Sequence, residues 1–253
     1  TITSTTQCFN PVCKDWASDL LAALDIPTHI FGKIVNPGTV LGPPQHALRD
    51  ELELQDVSII AGAGHDTASA VAAVPAPSQD YIYLSSGTWS LMGVELDEPL
   101  ITAETLRANL TNEGSAENKT RFLKNIAGLW LMQECRRQWL ADVFDLGYDQ
   151  MIKMAADAST FKSLIIPDDG CFIAPENMVS EIQSFCQKTE QPIPETKGEI
   201  VRCNLESLAL TYRSVSEQID TLTGANHPTI HIIGGGSQNK LLNQMTANAT
   251  KKT

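Results

Sequence analysis

Three segments of the 253-residue sequence place small and polar residues where backbone amides and hydroxyls could meet an anion. They are Gly62-Ala-Gly64-His65-Asp66-Thr67, Ser85-Ser-Gly-Thr88 and Gly234-Gly235-Gly236-Ser-Gln-Asn239. A glycine turn after a strand lets bare N–H groups approach phosphate oxygens, and a following helix adds its own N-terminal donors. Each segment taken singly also fits a tight turn or close strand–helix packing, which demand glycine for steric reasons alone. The first adds a carboxylate. Asp66 is ionised at neutral pH and could take a proton from an alcohol, although Asp at a helix start also serves as a cap. Gly62-x-Gly64-x-x-Thr67 is one residue away from a dinucleotide fingerprint. Its third position is Thr, and the next strand ends at Leu84-Ser-Ser without an acidic residue for a ribose, so a nicotinamide cofactor is disfavoured.

The elements that must position these turns follow from hydrophobic spacing. Val57 to Ala61 reads as a buried strand leading into the first turn, with a small-residue helix over Ala68 to Val74 behind it. Pro75-Ala-Pro77 ends that helix and marks a boundary between two lobes. Tyr81 to Leu84 and Trp89 to Leu96 read as strands joined by residues 85–88, with the glycine at the strained position of a hairpin-like turn. Phe122 to Leu140 has helical spacing, with Trp89 and Trp130 expected in the core. Asp15 to Leu24, residues 149–157, residues 176–188 and Lys197 to Leu222 are further expected helices, the last closed by Gly224. Thr229 to Ile233 is a strand entering the triple glycine. Strands and helices mix without internal repeats, giving an α/β or α+β class.

Composition excludes several functions. The 18 basic and 30 acidic residues give a formal charge of -12, which repels phosphate backbones and anionic lipid, and no basic patch interrupts it. Neither nucleic acid nor membrane is expected as a partner. The longest small or apolar run, Ala68 to Ala76, is far short of the roughly 20 residues that cross a bilayer. The first residues carry no basic and apolar leader, so a cytoplasmic setting is expected. Six cysteines contain no C-x-x-C and five histidines show no ligand spacing, so no metal site is expected. Cys186 and Cys203 flank a Pro-containing turn and could meet if two helices pack there, with reduced thiols the expected state. Neither end carries an ordinary start or stop signal, which suggests a partial chain.

In this order and spacing the three turns resemble those of the actin-like ATPase superfamily, and more closely those of the FGGY carbohydrate kinases. The segments that carry the resemblance include Thr3-Ser-Thr-Thr-Gln7, Gly64-His-Asp-Thr-Ala-Ser-Ala-Val71, Tyr83-Leu-Ser-Ser-Gly-Thr-Trp-Ser-Leu-Met-Gly93, Asn112-Glu-Gly114, Leu123-Lys-Asn-Ile-Ala-Gly-Leu-Trp130, Gln191-Pro-Ile-Pro-Glu195 and His231-Ile-Ile-Gly-Gly-Gly236. Within the family they are most similar to the branch that phosphorylates L-rhamnulose.

The resemblance implies an α/β, actin-like ATPase (ribonuclease H-like) fold, mainly the C-terminal lobe with a remnant of the N-terminal one. Residues 1–76 would end the sugar-binding lobe, and residues 77–253 would form the nucleotide lobe, truncated at its end. It implies ATP-dependent conversion of L-rhamnulose to L-rhamnulose 1-phosphate in L-rhamnose catabolism. Asp66 would be the general base, with His65, Thr67 and Asn125 on the sugar. Thr88 would touch the phosphates, Gln133 the nucleotide, and Gly234, Gly235 and Gly236 the adenosine. Gln133 lies eight residues beyond Asn125, which on a helix puts both on one face of one cleft. Mg²⁺ is implied with ATP, without a ligand named here. The family's first phosphate motif, an Asp-bearing strand with a glycine turn, has no counterpart in these residues, so the chain alone is expected to be inactive. Two alternatives stand beside this reading: a non-catalytic nucleotide-binding domain of the same superfamily, and a kinase for another ketose.

Overall fold

Apolar runs separated by glycine and proline turns give short strands and helices, in this order: β1 (Phe9–Asn10), β2 (Asp15–Trp16), α1 (Ser18–Ala23), β3 (Val40–Gly42), α2 (His46–Leu52), β4 (Ile59–Ile60), α3 (Asp66–Ala72), β5 (Tyr81–Ser86), β6 (Ser90–Leu96), α4 (Ala103–Arg107), β7 (Thr111–Gly114), β8 (Thr120–Ile126), α5 (Trp130–Trp139), α6 (Tyr148–Asp157), α7 (Met178–Lys188), α8 (Lys197–Thr223), β9 (Thr229–Ile233) and α9 (Lys240–Thr250). The structure, a computed structural model, describes residues 2–76, 78, 80–140 and 146–253. Two units emerge, Thr1–Pro75 with Val94–Leu123, and Ala76–Gly93 with Lys124–Thr253. Pro77, part of the expected boundary, lies outside the described residues.

In the first unit, β1 and β2 form an antiparallel hairpin, and β3 and β4 pair antiparallel across the connection that holds α2. Trp16 packs on Phe31 with ring centroids 4.4 Å apart and donates its indole N–H to Gly32 O at 2.9 Å. Those contacts hold Asp15 and Trp16 extended, so the helix expected from Asp15 begins only at Ser18. The strand expected at 57–61 shrinks to Ile59–Ile60, and both residues are exposed rather than buried. A two-stranded ribbon of this length cannot bury a face by itself. β7 and the start of β8 pair antiparallel from Thr111↔Leu123 to Gly114↔Thr120.

The second unit is built on β5. This strand pairs in parallel with β9, from Tyr81↔Thr229 to Ser85↔Ile233, and antiparallel with β6, from Tyr83↔Gly93 to Ser86↔Ser90. Within this unit the strand order is β6-β5-β9. Being interior, β5 buries Ile82, Tyr83 and Leu84 almost completely, as an apolar run between two neighbours must. α8 covers the core with Ile200, Leu205, Leu208, Tyr212, Val215 and Ile219, and the Tyr212 hydroxyl meets Ser90 Oγ at 2.7 Å. Gly224 closes α8 in the left-handed conformation, as expected, and a reciprocal Thr196/Glu199 capping box opens it. The Cys186 and Cys203 thiols do meet, buried and free, and their hydrogen bond raises Cys203 above the ordinary thiol range. Among the described residues no helix is long and apolar enough to cross a membrane.

One expectation fails with consequences. Phe122 to Leu140 is not one helix: residues through Ile126 form strand β8, and α5 starts at Trp130. Cross-strand pairing with β7 overrides the helical spacing. Asn125 therefore stands exposed on a strand, and its eight-residue separation from Gln133 places the two on no common helix face. Trp89 is not a core residue either: it is 59% exposed in the turn between β5 and β6.

Candidate active site

The turn between β5 and β6 is three residues, Gly87-Thr88-Trp89, closed by Gly87 N–H donating to Trp89 O at 2.9 Å. The start of α5 clamps it. Leu129 N–H donates to Gly87 O and Trp130 N–H to Thr88 O, each at 3.0 Å, which satisfies orphan donors of the helix N-terminus. The glycine with unusual backbone is not Gly87 but Gly128, at φ +53. A Cβ on Gly128 would lie 2.6 Å from Thr88 O and Trp89 C, so only glycine lets strand β8 turn into α5 this close to the loop. Thr88 is left exposed, and its Oγ1 donates to Gln133 Oε1 at 3.1 Å.

The triple glycine arrives beside this turn because β9 runs parallel to β5 and both strands end together. A Cβ on Gly236 would stand 2.0 Å from Ser86 Oγ, and one on Gly234, at φ +83, 2.8 Å from Ser86 O. Gly235 differs: a Cβ there would meet nothing within 4 Å, so its backbone is bare at an open surface. Gly87, Gln133, Gly235 and Gly236 line one cleft of about 310 Å³ together with Leu129, Met132, Tyr148, Asp149, Ile152, Gln238 and Asn239. That volume is at the lower end of the range for small-molecule sites. Apolar Leu129, Met132 and Ile152 and the ring of Tyr148 suit a flat aromatic group, and the glycine backbone suits polar atoms. Of the residues singled out in the sequence, Gln133, Gly235 and Gly236 line the cleft, Gly234 packs on Ser86 instead, and the apolar lining was missed. The signal available was the apolar face of α6, beginning at Tyr148, whose ring lies under the Arg136 guanidinium at 4.8 Å.

The first unit holds the carboxylate. Asp66 is the first residue of α3, and the cap position belongs to His65. Asp66 Oδ1 accepts from the Thr67 N–H at 2.7 Å, and His65 Nε2 lies 3.4 Å from the same oxygen. The Asp66 side chain is 94% exposed and so open to a ligand hydroxyl. Thr67 is buried, and His65 is partly so. Behind His65, Arg121 Nη2 reaches Nδ1 at 3.1 Å and also donates to Glu113 Oε2 at 2.8 Å, while Arg121 Nε donates to Gly114 O at 3.2 Å. His65, Asp66 and Thr67 thus form one group in the first unit, whereas Thr88, Gln133 and the three glycines form one in the second, of which Asn125 is also a member by chain position. Among the described residues no three His, Cys, Asp or Glu side chains converge as a metal cluster would.

Residues 82–253 match the FGGY family of carbohydrate kinases, C-terminal domain. The chain belongs to this family. It is 49% identical over 249 residues to a rhamnulokinase of Bacteroides thetaiotaomicron, covering 98% of this chain and 50% of the relative. To a rhamnulokinase of Yersinia pestis it is 46% identical over 246 residues, covering 97% of this chain and 49% of the relative. This FGGY chain thus spans about half the length of the curated relatives it matches. Among solved structures, the ligand-bound xylulose kinase from Lactobacillus acidophilus superposes with a TM-score of 0.72 at 18% identity, covering 98% of this chain and 49% of that one. Plasmodium falciparum glycerol kinase with ADP gives 0.67 at 12% identity, covering 98% and 48%. The FGGY chain therefore has the actin-like ATPase fold of these solved sugar kinases.

Proposed function

We propose that this chain carries the nucleotide site and the general base of a kinase that converts L-rhamnulose to L-rhamnulose 1-phosphate in L-rhamnose catabolism. The observation that carries the reading is the glycine-backed cleft in which Gln133, bonded to Thr88, faces Gly235 and Gly236. The substrate rests on relatives named rhamnulokinase at 42–49% identity. In this reading residues 1–76 end the sugar-binding lobe and residues 77–253 form the nucleotide lobe, and the six free cysteines accord with a reducing cytoplasm.

ATP supplies the transferable phosphoryl group when bound, with Mg²⁺ to offset its charge. The cleft fits the nucleotide: the open backbone at Gly235 leaves room where any side chain would intrude, and the Thr88 hydroxyl stands ready for a phosphate oxygen. Mg²⁺ needs only one or two protein carboxylates besides phosphates and waters, and none is assigned to it here. Asp66, open to solvent and steadied by Thr67 N–H, accepts the proton of the attacking hydroxyl as its oxygen bonds to phosphorus and the bond to ADP breaks. His65, Thr67 and Asn125 complete the sugar contacts.

The test is saturation-transfer NMR on the 253-residue chain, offering ATP, L-rhamnulose and NAD in turn. Binding rather than turnover is the readout, since the relatives are about twice as long and we expect little activity from this chain alone. Transfer to adenine and sugar protons, with the sugar signal lost in Asp66→Ala and Asn125→Ala, supports the proposal. Transfer to ATP alone would favour a non-catalytic nucleotide-binding domain, transfer to another ketose would reassign the substrate, and a response to NAD alone would overturn the kinase reading.

A further inference from the structure

Behind Asp66 a chain of contacts runs through His65 to Arg121 and Glu113. Arg121 sits on β8 directly opposite Glu113 on β7, and its side chain is fully buried. A guanidinium has five N–H donors and no lone pair to offer. In the 3.1 Å contact between Arg121 Nη2 and His65 Nδ1, the imidazole nitrogen must therefore be the acceptor. An accepting Nδ1 leaves the ring proton on Nε2, which is the nitrogen that faces Asp66 Oδ1 at 3.4 Å.

We propose that Arg121, held by Glu113, is a positioning residue. It fixes His65 in the Nε2–H tautomer, so that His65 donates to Asp66 Oδ1 and leaves Oδ2 to receive the proton of the sugar hydroxyl. The functional part of this statement rests on the reading of Asp66 as the base; the tautomer does not.

Three observations favour this role over simple pinning of β7 to β8. Arg121 Nε already serves the hairpin through Gly114 O, so the Nη2 contact with His65 is additional. Arg121 Nη1 is buried without a hydrogen-bond partner, a cost that a purely structural side chain could avoid. Buried ion pairs can often be replaced by apolar side chains without loss of stability, so what the pair adds here is a fixed donor. Oδ1 accepts from Thr67 N–H at 2.7 Å and from Thr67 Oγ1 at 3.5 Å with His65 Nε2 3.4 Å away, while the Asp66 side chain as a whole is 94% exposed. That arrangement suits a base that must hold one orientation while its other oxygen takes a proton.

The experiment is long-range ¹H–¹⁵N correlation NMR on the 253-residue chain with labelled histidine, at mildly alkaline pH where imidazoles are neutral. The His65 signals are those missing in His65→Gln. The expected wild-type spectrum has a protonated Nε2 and an Nδ1 resonance displaced toward that of a hydrogen-bonded acceptor. Arg121→Lys keeps the charge against Glu113 but loses the second prong of the fork. The double variant Glu113→Gln/Arg121→Met removes both charges together, so that neither is left buried and alone. Either change should return Nδ1 to the position of an unbonded acceptor, let the Nδ1–H form appear, and weaken L-rhamnulose binding about fivefold, the effect of one lost hydrogen bond. A wild-type His65 protonated on Nδ1, or an Nδ1 resonance unmoved in the folded Arg121→Lys chain, overturns the proposal. If the double variant does not fold, the wild-type and Arg121→Lys spectra still decide. If the wild-type chain shows the expected tautomer yet never binds the ketose, the kinase reading of Asp66 fails while the Arg121–His65 relationship stands.

Discussion

Thr88 and Gln133, 45 positions apart, are joined by a 3.1 Å hydrogen bond from the Thr88 hydroxyl to the Gln133 amide oxygen. The bond exists because the first N–H groups of α5 are spent on the carbonyls of the 87–89 turn, which draws the turn onto the helix one turn before Gln133. A hydroxyl that donates to Gln133 keeps its lone pairs, whereas the side-chain N–H₂ of Gln133 remains a donor at the edge of the cleft.

Thr88→Val should leave stability within about 0.5 kcal/mol, because the side chain is exposed. It should weaken ATP binding about tenfold, the range for one hydrogen bond to a charged group. Gln133→Ala should act in the same direction, and the double variant should lose less than the product of the two, because each single change also breaks the shared bond. Calorimetric titration with ATP measures all three; strictly multiplicative losses would show that the two side chains do not act together.

The triple glycine separates packing from binding. Gly236→Ala forces a Cβ to within 2.0 Å of Ser86 Oγ and should lower stability by about 1–3 kcal/mol. Gly235→Ala meets nothing and should leave the thermal midpoint unchanged while filling the open floor of the cleft and weakening ATP. Thermal unfolding with and without ATP distinguishes them: equal midpoints for the two variants would contradict this division.

Gly128 carries both a left-handed backbone and a contact with backbone atoms of the 87–89 turn. Gly128→Ala should cost at least about 1 kcal/mol for the conformation alone, with the clash added. The turn should also detach from α5, which is read as a change in the fluorescence of Trp89 and Trp130. A folded variant with wild-type stability would refute this account of the junction.

Acid sensitivity should come in part from Glu199. The Lys162 ammonium at 2.5 Å, followed by the N–H groups of Glu195 and Thr196, holds its carboxyl down at about 2. A depressed folded value gives stability that is present above the unfolded value of about 4.3 and is lost as pH falls toward 2. Glu199→Gln keeps a side chain able to close the capping box but removes the charge. Its thermal midpoint should be lower than wild type at neutral pH, and the gap should close between about pH 4.3 and 2. A gap that persists undiminished at the acid end would assign the effect to packing instead.

Local chemistry made much of this protein legible in its sequence. Glycine turns after apolar runs located both the Thr88 turn and the Gly234–Gly236 turn, since such backbone needs a particular residue wherever it occurs. The glycine that closes α8, Gly224, and the strand Thr229–Ile233 were equally readable, and Asp66 followed from a carboxylate at a helix start. Tertiary structure decided the rest. Phe122 to Ile126 has helical spacing, yet it becomes a strand, begun by the pairing of Thr120–Leu123 with β7. That change moved Asn125 off the helix of Gln133 and made Gly128, not Gly87, the strained position. The pairing of Arg121 with His65 spans 56 positions and leaves no local trace, because a buried arginine is visible only once the strands that bury it have met. Sequence records the conformations each residue prefers, but which distant groups become neighbours is set by the strand pairing that buries the most apolar surface and satisfies the most backbone.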